Sequence, residues 1–276
     1  MHRGENRPMP FFKDLNLSAA TAGFVAVLVG FTSSVAIVFQ AAQAFGATPA
    51  QITSWMWALG LGMGLCSAIP SLLWKQPVMV AWSKPGAAVL ATAGLAGGFT
   101  MPQAVGTFMA SAVLIALAGA SGWFERIMNR IPMALASALP QFIVTMASQN
   151  LPGVVAIRAA GYDMPISKII TMTGVVTLVL APFGAFALNL SAITAAICMG
   201  EEAHPDKKKR YTAAVACGAI YVLIGLFGAA VTGLLIAFPK ELVLAIAGLA
   251  LLGSIGGGLH AALREDSHRE AALITF

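Results

Sequence analysis

The chain has 276 residues, of which 58% are hydrophobic and only 10% are charged, with a mean hydropathy of +0.83. Soluble domains carry about 25% charged residues, so the composition excludes a soluble enzyme or binding module and marks a membrane protein. The formal net charge of +5 comes largely from short basic clusters between apolar runs, which reads as a topology signal and not as a nucleic-acid footprint.

In chain order, residues 1–17 form a polar lead, expected on the cytoplasmic side. The run from Ser18 to Phe45 lacks a short h-region and a clear cleavage site, so it reads as a retained span. Further spans are expected at 50–74, 86–98 (short) and 103–124, followed by an apolar run at 133–157. Spans near 166–183, 190–200 (short), 211–237 and 241–262 come next, then an exposed charged tail at 263–276. Gly60 and Gly64 have the small-xxx-small spacing that suits helix packing in membranes. Cys66, Cys198 and Cys217 lie in apolar runs with no ligand spacing, so neither a disulfide framework, a metal site nor a cofactor is expected.

The text also repeats. "AIVFQAAQAFGATPAQIT" (36–53) resembles "AIRAAGYDMPISKIIT" (156–171). "IALAGASGWFERIMNRIPMALASAL" (115–139) resembles "VLIGLFGAAVTGLLIAFPKELVLAIAGL" (222–249), with Pro132 matching Pro239. Both halves run long span, long span, short broken span, long span. Such repeats mark secondary transporters, and they divide the chain into 18–140, 141–237, a further helix at 238–262 and the tail at 263–276.

The broken spans hold matching places. In "PVMVAWSKPGAAVLA" (77–91) an extended, β-branched piece leads into a short helix. Pro85 suits the first turn, where its missing N–H is not needed. In the second half "PFGAFALNLS" precedes "AITAAICMG", with Asn189 and Ser191 as candidate N-caps. The fold class that follows is an all-α multi-pass membrane protein with two broken spans, each a short strand plus a half-helix, near the membrane centre. Paired interruptions of this kind point to a transport site.

Lys84, between Ser83 and Gly86 and at mid-membrane depth, is the first candidate. A lysine there costs roughly 2.5–3.5 kcal/mol on insertion scales, so it needs water, a partner or a ligand. Its ammonium either faces a carboxylate substrate, backed by the half-helix N-terminus, or snorkels into a crevice without binding. Asn189 and Ser191 offer hydrogen bonds from the second half-helix, or cap it. Thr32, Ser33 and Ser34 lie mid-span, and Gln149 and Asn150 hold the matching place in the second half; these line a polar site or bond across helices. All eleven acidic residues fall at or beyond span ends, which leaves Glu201, Glu202, Lys84 or the substrate itself to carry a coupled proton. An intramembrane enzyme fits badly, because catalysis needs converging acids, bases or metal ligands.

Positive residues mark cytoplasmic ends, and Lys75, Lys168 and "KKKR" (207–210) satisfy that rule. The joint does not. Arg126 and Arg130 precede the run at 131–157 and Arg158 follows it, so both ends are expected inside. Either this run is a re-entrant hairpin, or an odd number of spans present in relatives is absent here.

"GFTSSVAIVFQAAQAFGATPAQITSW", "AWSKPGAAVLA", "GWFERIMNRIP", "FIVTMASQNLPGV" and "AITAAICMGEEAHPD" together resemble the bacterial benzoate/proton symporter family over most of residues 14–262. That family is similar in fold to uracil/SLC26-type transporters, with seven plus seven helices in inverted repeats that form a core and a gate domain. The resemblance implies proton-coupled uptake of benzoate or a similar aromatic carboxylate in a bacterial inner membrane, with a homodimer as one open assembly. It makes 18–140 core helices one to four, 141–237 core helices eight to eleven, and 238–262 a remnant of the gate. Fourteen spans need about 280 residues before any loops. The resemblance therefore implies that helices five to seven are missing between about Ala136 and Phe142, and the last two after Leu263. A non-transporting core or scaffold is the alternative it leaves. Two departures follow: threonine is expected where Lys84 stands, and a histidine is expected close to Phe186.

Overall fold

A computed structural model describes residues 10–97, 100–122 and 145–237, together with 239 and 241–242. The joint at 131–144, the expected helix beyond 242 and the tail lie outside the described residues.

The first half begins with a short helix α1 (Pro10–Asp14). Asn16 then caps α2 (Leu17–Thr32), its Oδ1 accepting the Ala19 N–H at 2.7 Å. The span continues as α3 (Val35–Ala44) after a break at Ser33–Ser34. There the Thr32 and Ser34 hydroxyls donate to the Leu28 and Gly30 carbonyls at 2.6 and 2.7 Å. Side chains thus take acceptors that belong to the helix ladder, and the helix kinks. A capping box of Thr48 and Gln51 opens α4 (Pro49–Trp74). Strand β1 (Val80–Trp82), α5 (Lys84–Ala96) and α6 (Met101–Ala120) follow.

The second half repeats this order. A π-turn over Met146–Asn150 leads into α7 (Leu151–Ala159). Pro152 has no N–H for the ladder, which loosens the turn before it. Next come α8 (Ile166–Leu180), β2 (Leu188–Leu190), α9 (Ala192–Met199), α10 (Tyr211–Leu226) and α11 (Gly228–Ala237). Five of these stretches are long and apolar enough to cross a membrane: Leu17–Ala44, Pro49–Trp74, Met101–Ala120, Ile166–Phe183 and Lys207–Leu226. The protein is an all-α multi-pass membrane protein. Two expected spans differ: 18–45 is two helices broken at Ser33–Ser34, and 211–237 is two helices that part at Phe227.

The two broken spans meet. β1 and β2 pair antiparallel, with Val80 opposite Leu190, Ala81 opposite Asn189 and Trp82 opposite Leu188. Outside the ribbon the packing is reciprocal. α4 lies on α10, where a Cβ at Gly60 would sit 2.7 Å from Gly225 Cα and one at Gly64 would sit 2.6 Å from the Gly218 carbonyl. α6 lies on α8 through Gly119 against Thr171 and Gly174 against Ala116. Each half therefore lends its fourth helix to the second helix of the other, as an inverted repeat requires. Small residues let these backbones approach, since lipid provides no hydrophobic drive between helices.

The basic segments collect on one face. Tyr211 donates to Asp14 Oδ2 at 2.9 Å, and Lys209 lies 3.7 Å from Asp14 Oδ1. Lys75 stands 5.4 Å from the centre of the Tyr211 ring, and Lys207 donates to the Gly161 carbonyl at 2.8 Å.

Candidate functional site

A two-stranded ribbon inside a membrane has two open edges, and each unpaired backbone group there costs several kcal/mol. Side chains from both halves close them. Ser71 and Ser67 of α4 accept the N–H groups of Val78 and Val80 at 2.9 and 3.0 Å. Thr177 of α8 accepts the Leu188 N–H at 3.3 Å, and Asn150 accepts the Leu190 N–H at 2.8 Å. The ladder itself runs one step past each strand, with Ser83 N–H donating to the Ala187 carbonyl at 2.9 Å and Ser191 N–H to the Met79 carbonyl at 3.0 Å.

Both half-helices start from these two serines. In α5, Ser83 Oγ accepts the Gly86 N–H at 3.0 Å and the Thr145 hydroxyl at 2.9 Å. Pro85 stands in the first turn, as its chemistry suggested. In α9, Ser191 holds the N-cap position, but its hydroxyl accepts from Thr194 Oγ1 at 2.7 Å and caps no backbone N–H. The register puts Ser83 opposite Ala187 and Ser191 opposite Met79. The two half-helix starts are thus four residues apart, roughly 13 Å along the ribbon. One small carboxylate group reaches one of them, not both.

Lys84 opens α5 and is half-buried. Its Nζ donates to Ser33 Oγ at 2.8 Å, which ties the start of the half-helix to the break between α2 and α3. Among the described residues no carboxylate forms an ion pair with this ammonium. Phe31, two residues before Ser33, tilts against Trp82 with centroids 5.5 Å apart.

The other candidates are placed differently. Ser34 is buried, donating to Gly30 and accepting Trp82 Nε1–H at 2.9 Å. Asn150 is buried and holds β2, with Nδ2 on Met146 Sδ at 3.1 Å. Asn189 lies within β2, not at the cap. With its amide oriented to suit its neighbours, Oδ1 accepts the Ser83 N–H at 3.0 Å and Nδ2 donates to the Leu190 carbonyl at 2.9 Å. Gln149 stays half-buried in the π-turn. Gly86 leaves room for Ser83, since a Cβ there would meet Ser83 Oγ at 2.8 Å. Glu201 and Glu202 are exposed beyond the far end of α9, roughly a helix length of 12 Å from its start.

Sequence reasoning missed Thr145, Trp82, Thr177, Ser67 and Ser71. The last three had a readable signal: Ser67/Ser71 and Thr173/Thr177 are hydroxyl pairs four residues apart, on one helix face, in matching spans of the two halves. A cleft of about 430 Å³ lies elsewhere. It opens between Trp57, Phe183, Gly225 and Gly228 at the opposite end of α4 from Lys75, and holds no charged group. That cleft does not include Lys84 or any other residue of the ribbon.

The sequence profile described as "Benzoate membrane transport protein" matches residues 13–139 and 135–276. The chain belongs to this benzoate transport family. Among its members, the inner membrane protein YdcO of Escherichia coli K12 is 38% identical over 343 aligned positions, covering 92% of this chain and 87% of the relative. The benzoate membrane transport protein of Acinetobacter baylyi is 30% identical over 352 positions, covering 96% and 89%. No solved structure matches. Both alignments are longer than the chain's 276 residues, so these family members carry residues with no counterpart here. The two profile pieces meet at 135–139, within the joint where the basic residues conflict.

Proposed function

We propose that this protein is a secondary transporter of the bacterial inner membrane that takes an aromatic monocarboxylate such as benzoate together with a proton, with its N-terminus in the cytoplasm. The observation that carries the reading is the Lys84 amino group at the first turn of a broken span, bonded to the neutral Ser33 hydroxyl and lacking an acidic partner among the described residues. A cation at this depth calls for an anion, and the positive end of α5 adds to the attraction. Ser83, Gly86, Ser34, Asn150 and Asn189 hold the ribbon that positions Lys84, while Gln149 is half-buried in the second half and Ser191, engaged by Thr194, stands at the other half-helix start. The relatives support the substrate: one is named for benzoate transport and the other for the inner membrane.

Purified protein in detergent should bind benzoate saturably, and benzoate should displace itself from the site. A protein that is folded and binds no benzoate would remove the reading.

A second reading has its own support. Both alignments are longer than the chain and the two profile pieces meet at 135–139, which supports a reading in which the chain is a core that binds the anion without moving it. Binding in detergent with no flux in liposomes favours this core-only reading; flux removes it.

A further inference from the structure

If the transporter reading holds, something must carry the proton. We propose that Lys84 does so: its neutral amine, held by Ser33, takes up one proton as the carboxylate arrives, and the resulting ion pair is the transported unit. The surroundings leave few other carriers. Among the described residues α2, α3, α5 and the Thr145–Asn150 turn contain no Asp, Glu or His. α7 has only Arg158, in its last turn, α9 only Cys198, and α10 brings Cys217 and the Tyr221 hydroxyl, the latter towards Gly30. Glu201 and Glu202 lie beyond the far end of α9.

Ser33 is built for both protonation states. An ammonium can only donate, whereas an amine can also accept. Ser33 Oγ sits 3.5 Å from the Gly30 carbonyl, while its neighbour Ser34 holds that same carbonyl at 2.7 Å. The Ser33 proton is therefore free to turn towards Nζ when the amine is neutral, and the oxygen accepts from Nζ when it is charged. Without a counter-ion an ammonium here would face the positive end of α5 with only the neutral Ser33 hydroxyl beside it; an arriving carboxylate supplies the missing partner.

The bookkeeping of atoms is short. One N–H bond forms on Lys84 as a proton enters from outside, and the carboxylate pairs with it. On the inner side the carboxylate leaves, the N–H bond breaks and the proton follows. One negative and one positive charge cross together, so the step moves no net charge.

The test is a proton count on the full-length protein in detergent. Benzoate is already ionised at neutral pH, as carboxylates are, so a proton taken up on binding goes to the protein site. Titration in two buffers of different ionisation enthalpy should give about one proton per benzoate bound. Lys84→Arg, whose guanidinium stays charged, should bind benzoate with almost no proton uptake. Ser33→Ala, which removes the partner of the neutral amine, should also reduce uptake. Wild-type binding without proton uptake, or full uptake in Lys84→Arg, overturns the proposal, and if the arginine variant does not fold, the wild-type count decides alone. Failure of the transporter reading looks different, because the wild type then binds no benzoate at all.

Discussion

Ala81 lies opposite Asn189 at the centre of the two-stranded ribbon, and the Asn189 amide reaches along the ribbon to the N–H of Ser83. Through that residue the second half of the chain holds the start of the first half-helix. Lys84 is the next residue, so its place depends on groups more than a hundred positions away in sequence.

On the proposed function, Lys84 should be the most sensitive position for ligand binding. A hydrogen bond to a charged group contributes about 1.5–3 kcal/mol, so Lys84→Ala should weaken benzoate roughly 10- to 100-fold. Equilibrium binding to the purified variant checks this. An unchanged affinity would take the lysine out of the site.

Asn150 should behave as a support of the ribbon. Asn150→Ala leaves the buried Leu190 N–H without its acceptor, at a cost of about 1–3 kcal/mol. Thermal unfolding in detergent should shift down by a similar amount for Asn150→Ala and Thr177→Val, which unpairs Leu188. If Asn150→Ala instead keeps its stability and loses benzoate, the residue contacts the ligand.

Glycines on the membrane helices should divide sharply. At Gly64 a side chain runs into the Gly218 carbonyl and Val222 of α10, so Gly64→Val should destabilise by about 1–3 kcal/mol or prevent folding. Gly106 on α6 faces nothing within 4 Å, and Gly106→Ala should be neutral or slightly stabilising. Monodispersity and melting temperature of the two variants separate them.

Orientation can be read by labelling. Lys13 shares a face with Lys209 through Asp14, whereas Gln51 begins the opposite end of α4. Both side chains are exposed, and the three native cysteines are buried. An impermeant maleimide applied from the periplasmic side should modify Gln51→Cys and spare Lys13→Cys. The reverse pattern would invert the topology.

Much of the architecture was legible because lipid imposes strict rules on sequence. Apolar length set the spans, but the break at Ser33–Ser34 inside the run expected at 18–45 and the π-turn before Pro152 were not read from it. The part at Phe227 was not legible, because both sides of it are apolar and long enough to read as one helix. The site was readable only in outline. Lys84 stood out by the cost of a charge at that depth, but Asn150, Asn189 and Ser34 looked like ligand groups for the same polar character that the ribbon uses internally.

By itself, then, the sequence determined a membrane protein of two repeated halves, each with a strand-and-half-helix interruption, and one lysine at the first of them. Hydrophobic length, helix breakers and the energetic penalty of buried charge act locally, so they can be read along the chain. Only the tertiary structure decided which polar groups are spent. Strand register, the crossing of α4 with α10 and of α6 with α8, and the pairing of Lys84 with Ser33 each join residues from distant segments. Hydrogen-bond satisfaction in a membrane is a property of those pairs and not of either residue alone.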